Sequence, residues 1–133
     1  MTASLQVSIC VLLPEDRILL QFRDERAPTY PLSFTNWGGS MEEGETALDC
    51  ACRELEELGI MADPAELALV SSGNFAGVPR DIFLLRTDIR LSDLRLREGA
   101  GFVCVPRSAI ANIPSNDILK SDLEKLDDYL SLP

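Results

Sequence analysis

The chain contains no histidine. Ser–His and Cys–His nucleophilic pairs and imidazole metal sites are therefore excluded. Any acid–base or metal chemistry rests on carboxylates, and oxygen-only ligands favour Mg²⁺, Mn²⁺ or Ca²⁺ over Zn²⁺. The four cysteines, Cys10, Cys50, Cys52 and Cys104, form no CxxC pair. Cys50 and Cys52 lie two apart on a predicted helix and point in different directions. All four read as reduced thiols serving as small apolar residues in a reducing cytoplasm, not as a disulfide or a metal site. Basic residues are scarce: 12 Lys and Arg stand against 22 Asp and Glu, a net charge of −10 at pH 7. That balance argues against a grip on a nucleic-acid polymer. It fits either plain solubility or a carboxylate cluster that binds divalent metal. Glycine and proline are few, 8 of each, while 46% of residues are hydrophobic, so the chain is expected to fold. No basic segment followed by an apolar run opens it, and no stretch is long and apolar enough to span a bilayer; neither a signal peptide nor a membrane partner is expected. Its 133 residues suit a single domain, 1–133.

What is present begins with an apolar, β-branched run, Leu5 to Leu13, read as a strand. A turn at Pro14–Arg17 leads to a second strand, Ile18 to Arg23, hairpinned to the first. Asp24 to Asn36 reads as a long loop with Pro28, Pro31, Tyr30 and Phe34, of a length that is often functional. Further strands are expected at Leu67–Ser72, Asp81–Arg86 and Gly101–Val105, with loops at Asn74–Pro79 and Thr87–Gly101. A short helix follows Pro106. A final helix capped by Ser115-Asn116 carries Ile118, Leu119, Leu123, Leu126 and Leu130 on one face and acids on the other. The order of elements predicts an α+β fold, a mixed β-sheet sandwiched between helices.

One stretch concentrates the chemistry. Gly38-Gly39 reads as a loop that turns tightly and approaches a ligand closely. From Glu45-Thr46 onward, Leu48, Ala51, Leu55 and Leu58 follow helical spacing with one buried face. Gly59 stands where a C-terminal helix glycine belongs. Glu54 and Glu57, three residues apart, are surface neighbours whose like charges repel. Three glutamates near a helix end are ordinarily a solvated face; the alternative is a cation between them.

Gly39, five residues, Glu45, seven residues, then Arg53-Glu54-Leu55 resembles the first two-thirds of the Nudix box. Glu56-Glu57-Leu58-Gly59-Ile60 supplies an ending with one residue missing between Leu55 and Gly59. The resemblance implies a Nudix-like fold and a hydrolase that cleaves the phosphoanhydride of a nucleoside diphosphate derivative or nucleoside triphosphate with Mg²⁺ or Mn²⁺. It implies the Gly39 carbonyl, Glu54, Glu57 and Glu56 as metal ligands. Arg53 would hold the acids in place with Glu45 as its partner. Glu98 is a candidate general base outside the box. Arg23 and Arg26 are candidates for a distal phosphate, and Arg23, Trp37 and Gly38 for substrate contact. Tyr30, Phe34 and Trp37 are each either a stacking surface for a nucleobase or packing. The partner implied is a small nucleotide, with homodimerisation left open.

The missing residue bears on the ligand set. At about 100° per residue, Glu57 stays near Glu54 while Glu56 turns away by about 200°. Leu58 occupies the position four residues on, where the last acid is expected. A bulge or an early helix end would restore Glu56. The other reading is a Nudix-fold module that binds a nucleotide without cleaving it.

Overall fold

The computed structural model describes residues 4–27, 31–95 and 101–132. Seven strands form one mixed sheet: β1 (Gln6–Leu13), β2 (Arg17–Arg23), β3 (Ser33–Thr35), β4 (Trp37–Ser40), β5 (Leu67–Phe75), β6 (Val78–Arg86) and β7 (Gly101–Pro106). Among the described residues two α-helices accompany them, α1 (Ala47–Glu57) and α2 (Asp117–Leu130). Short 3₁₀ turns occur at Pro64–Glu66, Leu91–Asp93 and Arg107–Asn112. None of the helices among the described residues is long and apolar enough to cross a membrane.

β1 is the spine, and it is buried almost throughout. Side chains alternate between the faces of a strand. Val7, Ile9, Val11 and Leu13 therefore pack with Ala51, Leu55 and Leu58 from the α1 side. Cys10 and Leu12 pack with Leu119, Leu123 and Leu126 of α2. Both faces are thus covered, and the expected sandwich of a mixed sheet between helices is what forms.

The sheet forks beside β1. One edge of β1 runs parallel to β6 from Gln6 to Leu12. The other edge is divided: Val11–Leu13 pair with β2, and Gln6–Ile9 pair with β4. β2 in turn pairs with β1 only through Arg17–Leu19 and with β3 through Gln21–Arg23. β1 and β2 therefore separate, and the chain fills the gap by pairing first with β2 as β3, then with β1 as β4. Asn36 is the single residue at the switch.

Four expectations change. The segment read as loop from Asp24 to Asn36 contains β3, and Gly38-Gly39 belongs to β4 rather than to a loop. Pairing with β2 imposes the first and pairing with β1 the second, long-range contacts that strand propensity does not reveal. Gly38 tolerates this only as glycine: its φ is +144°, and a Cβ there would lie 1.9 Å from the Val7 carbonyl oxygen. The loop expected at Asn74–Pro79 shrinks to Ala76-Gly77, both with positive φ. That conformation suits a two-residue hairpin between β5 and β6. Finally, α2 does not carry all its acids outward. Asp122 is 1% exposed, on the helix's buried face.

Candidate functional site

α1 starts on a reciprocal cap. Thr46 Oγ1 accepts from the Asp49 N–H, and an Asp49 carboxylate oxygen accepts from the Thr46 N–H, satisfying two donors that a helix start leaves bare. It ends without irregularity. The Gly59 N–H donates to Glu56 O and the Ile60 N–H to Leu55 O, each at 2.9 Å. With Gly59 at φ +92°, these two hydrogen bonds form a glycine-terminated cap that closes the last turn. No bulge intervenes, so the side chains keep helical phase. Leu58 is 3% exposed and belongs to the core on the α1 side. Glu56 is exposed, lines neither compartment of the cleft and has no ion pair among the described residues.

Arg53 gathers the other acids. Its Nε lies 2.7 Å from Glu45 Oε2 and its Nη2 3.0 Å from Glu45 Oε1, a two-pronged pair. Nη1 lies 3.2 Å from Glu54 and 3.6 Å from each of Glu57 and Glu42. Nη2 also donates to the Ser40 carbonyl, tying α1 to β4. The hydrogen bond from Arg53, then that from the Glu42 N–H, holds the Glu45 carboxyl below its usual range. The same bond to Glu45 raises the Arg53 pKa further. Glu54 lies against β4: a Cβ on Gly39 would sit 2.4 Å from Glu54 Oε1. Glycine at 39 leaves the space this carboxylate occupies.

Two compartments meet here. The first, about 100 Å³, is lined by Glu54, Glu57, Leu58, Gln21, Arg23 and Arg95, with Trp37 and Gly38. The second, about 260 Å³, shares the wall of Gln21, Arg23, Trp37 and Gly38 and continues past Gly39, Asn36 and Arg80 to Ile118. Trp37 is nearly buried and its Nε1 donates to the Leu19 carbonyl, so the indole serves as a wall with its polar atom already engaged. Phe34 packs on Phe22 with ring centroids 4.9 Å apart. Arg26 is exposed and lines neither compartment. Glu98 and Tyr30 lie outside the described residues.

Arg95 was not singled out by the sequence. Its N–H donates to the Leu58 carbonyl at 2.8 Å, and its Cγ lies 3.3 Å from where a Gly59 Cβ would be. The backbone of Arg95 is thereby tied to the end of the box helix. Among the described residues, no three acidic or thiol side chains converge at metal-holding spacing. The four cysteines are free. Burial pushes the Cys50 thiol up to about 11 and raises the other three. Thiols so raised are protonated and poor nucleophiles at neutral pH.

A family model described as the NUDIX domain matches residues 3–110. The Nudix hydrolase lmo0368 of Listeria monocytogenes is 31% identical over 96 residues, covering 71% of this chain and 57% of that protein's length. The fold matches the NUDIX domain of Shewanella oneidensis NrtR, solved with ADP ribose, at a TM-score of 0.78 and 12% identity, covering 98% of this chain and 90% of that one. It also matches the MutT protein of Methanosarcina mazei at 0.75 and 17% identity, covering 98% and 97%.

Proposed function

This chain belongs to the Nudix family, and from that premise we propose that it is a divalent-metal-dependent hydrolase of a nucleoside diphosphate derivative or a nucleoside triphosphate. One observation carries the proposal: Glu54 and Glu57 share a compartment with Arg23 and Arg95, while Arg53 bridges the two carboxylates from behind. A phosphoanhydride and a chain of net charge −10 repel each other unless cations lie between them.

The donors fit Mg²⁺ or Mn²⁺. Mg²⁺ is commonly held by one or two carboxylates, with substrate phosphates and water completing its shell. Glu54 and Glu57 would supply two hard oxygen ligands, and the Gly39 carbonyl would supply a third. Glu56, turned out to solvent, is not part of this set. An ion held there would supply neutralisation of phosphate charge and a more acidic attacking water. The chain's own residues position the reactants. Arg53 and Glu45 hold Glu54 in one orientation. Arg23 and Arg95 line the same compartment as the carboxylates and would meet phosphate oxygens there. Leu58 and Trp37 keep the floor of the site dry, which strengthens each of these charge interactions. The free thiols support a cytoplasmic location.

The test is turnover of a nucleotide panel with Mg²⁺. Glu57→Gln is expected to lower kcat by at least about tenfold, the range of lost electrostatic stabilisation, with stability changed by less than about 0.5 kcal/mol. Unchanged turnover removes Glu57 from the site. The core position of Leu58, where a further acid is expected, favours the second reading, a nucleotide-binding module without hydrolysis. Nucleotides that raise the melting temperature but are never cleaved would establish that one.

A further inference from the structure

Asp122 is a buried charge outside the box. It lies on α2, is 1% exposed and is paired with Arg80. Ser8 Oγ of β1 donates to it at 2.7 Å. Arg80 of β6 donates at 2.9 Å from Nε and 2.7 Å from Nη2. Asn36 Nδ2, at the switch between β3 and β4, donates at 3.2 Å. Hydrogen bonds to a charged group are about twice as strong as neutral ones. One side chain of α2 therefore pins β1, β6 and the switch together.

Two of those partners bear on β4. Ser8 stands opposite Gly38 in the β1–β4 ladder, and a Cβ on Gly38 would lie 3.1 Å from Ser8 Cα. Asn36 immediately precedes β4 and is buried. Its Oδ1 has no hydrogen-bond partner among the described residues, so the donor side of the amide holds the side chain. The acceptors there are Asp122 and, at 3.4 Å, the weak acceptor Cys10 Sγ. Successive residues of a strand face opposite sides. Ser8 and Asn36 reach toward α2, whereas Gly39 faces α1 and leaves the space that the Glu54 carboxylate fills. β4 is thus held from one side by Asp122 and seats Glu54 on the other.

We propose that Asp122 is a positioning residue: acting through Ser8 and Asn36, it fixes β4, and with it the Gly39 carbonyl and the seat of the Glu54 carboxylate. What that seat does rests on the metal-dependent reading given above. Partners that orient metal ligands from outside the ligand set change metal affinity by about tenfold or more when they are lost.

Two measurements on Asp122→Asn test this. The variant keeps the shape of the side chain but sets an amide donor among donors. Leu126→Ala, which thins the packing of the same helix and leaves the Asp122 partners in place, is the control for lost stability. Hydrogen exchange at the amides of residues 37–40 should quicken about tenfold more in Asp122→Asn than in the control. Mn²⁺ binding to the free protein, followed by electron paramagnetic resonance, should weaken about tenfold in Asp122→Asn and match wild type in the control. If Asp122→Asn does not fold, Ser8→Ala, which keeps the Asp122–Arg80 pair, should show both effects at about threefold, the lower range for one hydrogen bond. Exchange at 37–40 no faster than in the control overturns the proposal. So does unchanged Mn²⁺ affinity alongside faster exchange, because the carboxylate then only packs the sheet. A wild type that binds Mn²⁺ neither alone nor with AMP sinks the hydrolase reading, and the exchange result then decides this inference by itself.

Discussion

Arg53 is the residue on which the acidic end of the site depends. One guanidinium faces four glutamates and a backbone carbonyl, yet its side chain remains partly in water. Its strongest partner is Glu45, and that pair is accessible by titration. The Glu45 pKa in the folded chain lies below its ordinary value of 4.5. A carboxyl with a depressed folded pKa contributes stability that is complete above the unfolded value and lost as pH falls through the folded one. Wild type should therefore exceed Glu45→Gln in melting temperature at neutral pH. The gap should begin to close near pH 4.5 and vanish at lower pH. A gap that stays constant down through the acid range would mean the pair contributes nothing through charge.

At the scale of elements, the end of α1 decides what the shortened box does. The helix keeps its phase through Glu57 and closes at Gly59, so the position of the absent acid becomes a core position. Leu58→Glu would place a carboxylate where exposure is 3%. It should cost about 3 kcal/mol or more, as uncompensated buried charges do, and should not raise turnover. Denaturant midpoints of the two proteins check this, and an unchanged midpoint would mean the helix end repacks freely. The same helix shows why some of the structure could be read in advance. Leu48, Ala51, Leu55 and Leu58 state their period locally, and Gly39, Glu45, Arg53, Glu54 and Glu57 lie at fixed spacings within one stretch. β3 and β4 could not be read this way, because they are short and exist through partners on β2 and β1. Nor could the Asp122 network, which joins residues 42, 86 and 114 positions apart. One local sign of it existed: Asp122 falls in the apolar stripe of α2, between Leu119 and Leu126.

For the molecule as a whole, the excess of ten negative charges is the governing quantity. Self-repulsion of that kind weakens the compact state and is screened by salt. Raising ionic strength from about 0.01 M to about 0.15 M shortens the screening length from about 30 Å to about 8 Å. The melting temperature should rise by about 2–5 °C, the change expected for roughly 1 kcal/mol in a chain of this size. A fall would show that the Arg53 and Arg107 ion pairs outweigh the global repulsion. The fork between β1 and β2 has a different kind of consequence. Because the chain changes partner strands at Asn36, β2 and β4 meet in one wall, Gln21, Arg23, Trp37 and Gly38, that both compartments share. A substitution in that wall is then felt on both sides at once. A lineage built on this sheet has to vary what it grips at positions away from the seam.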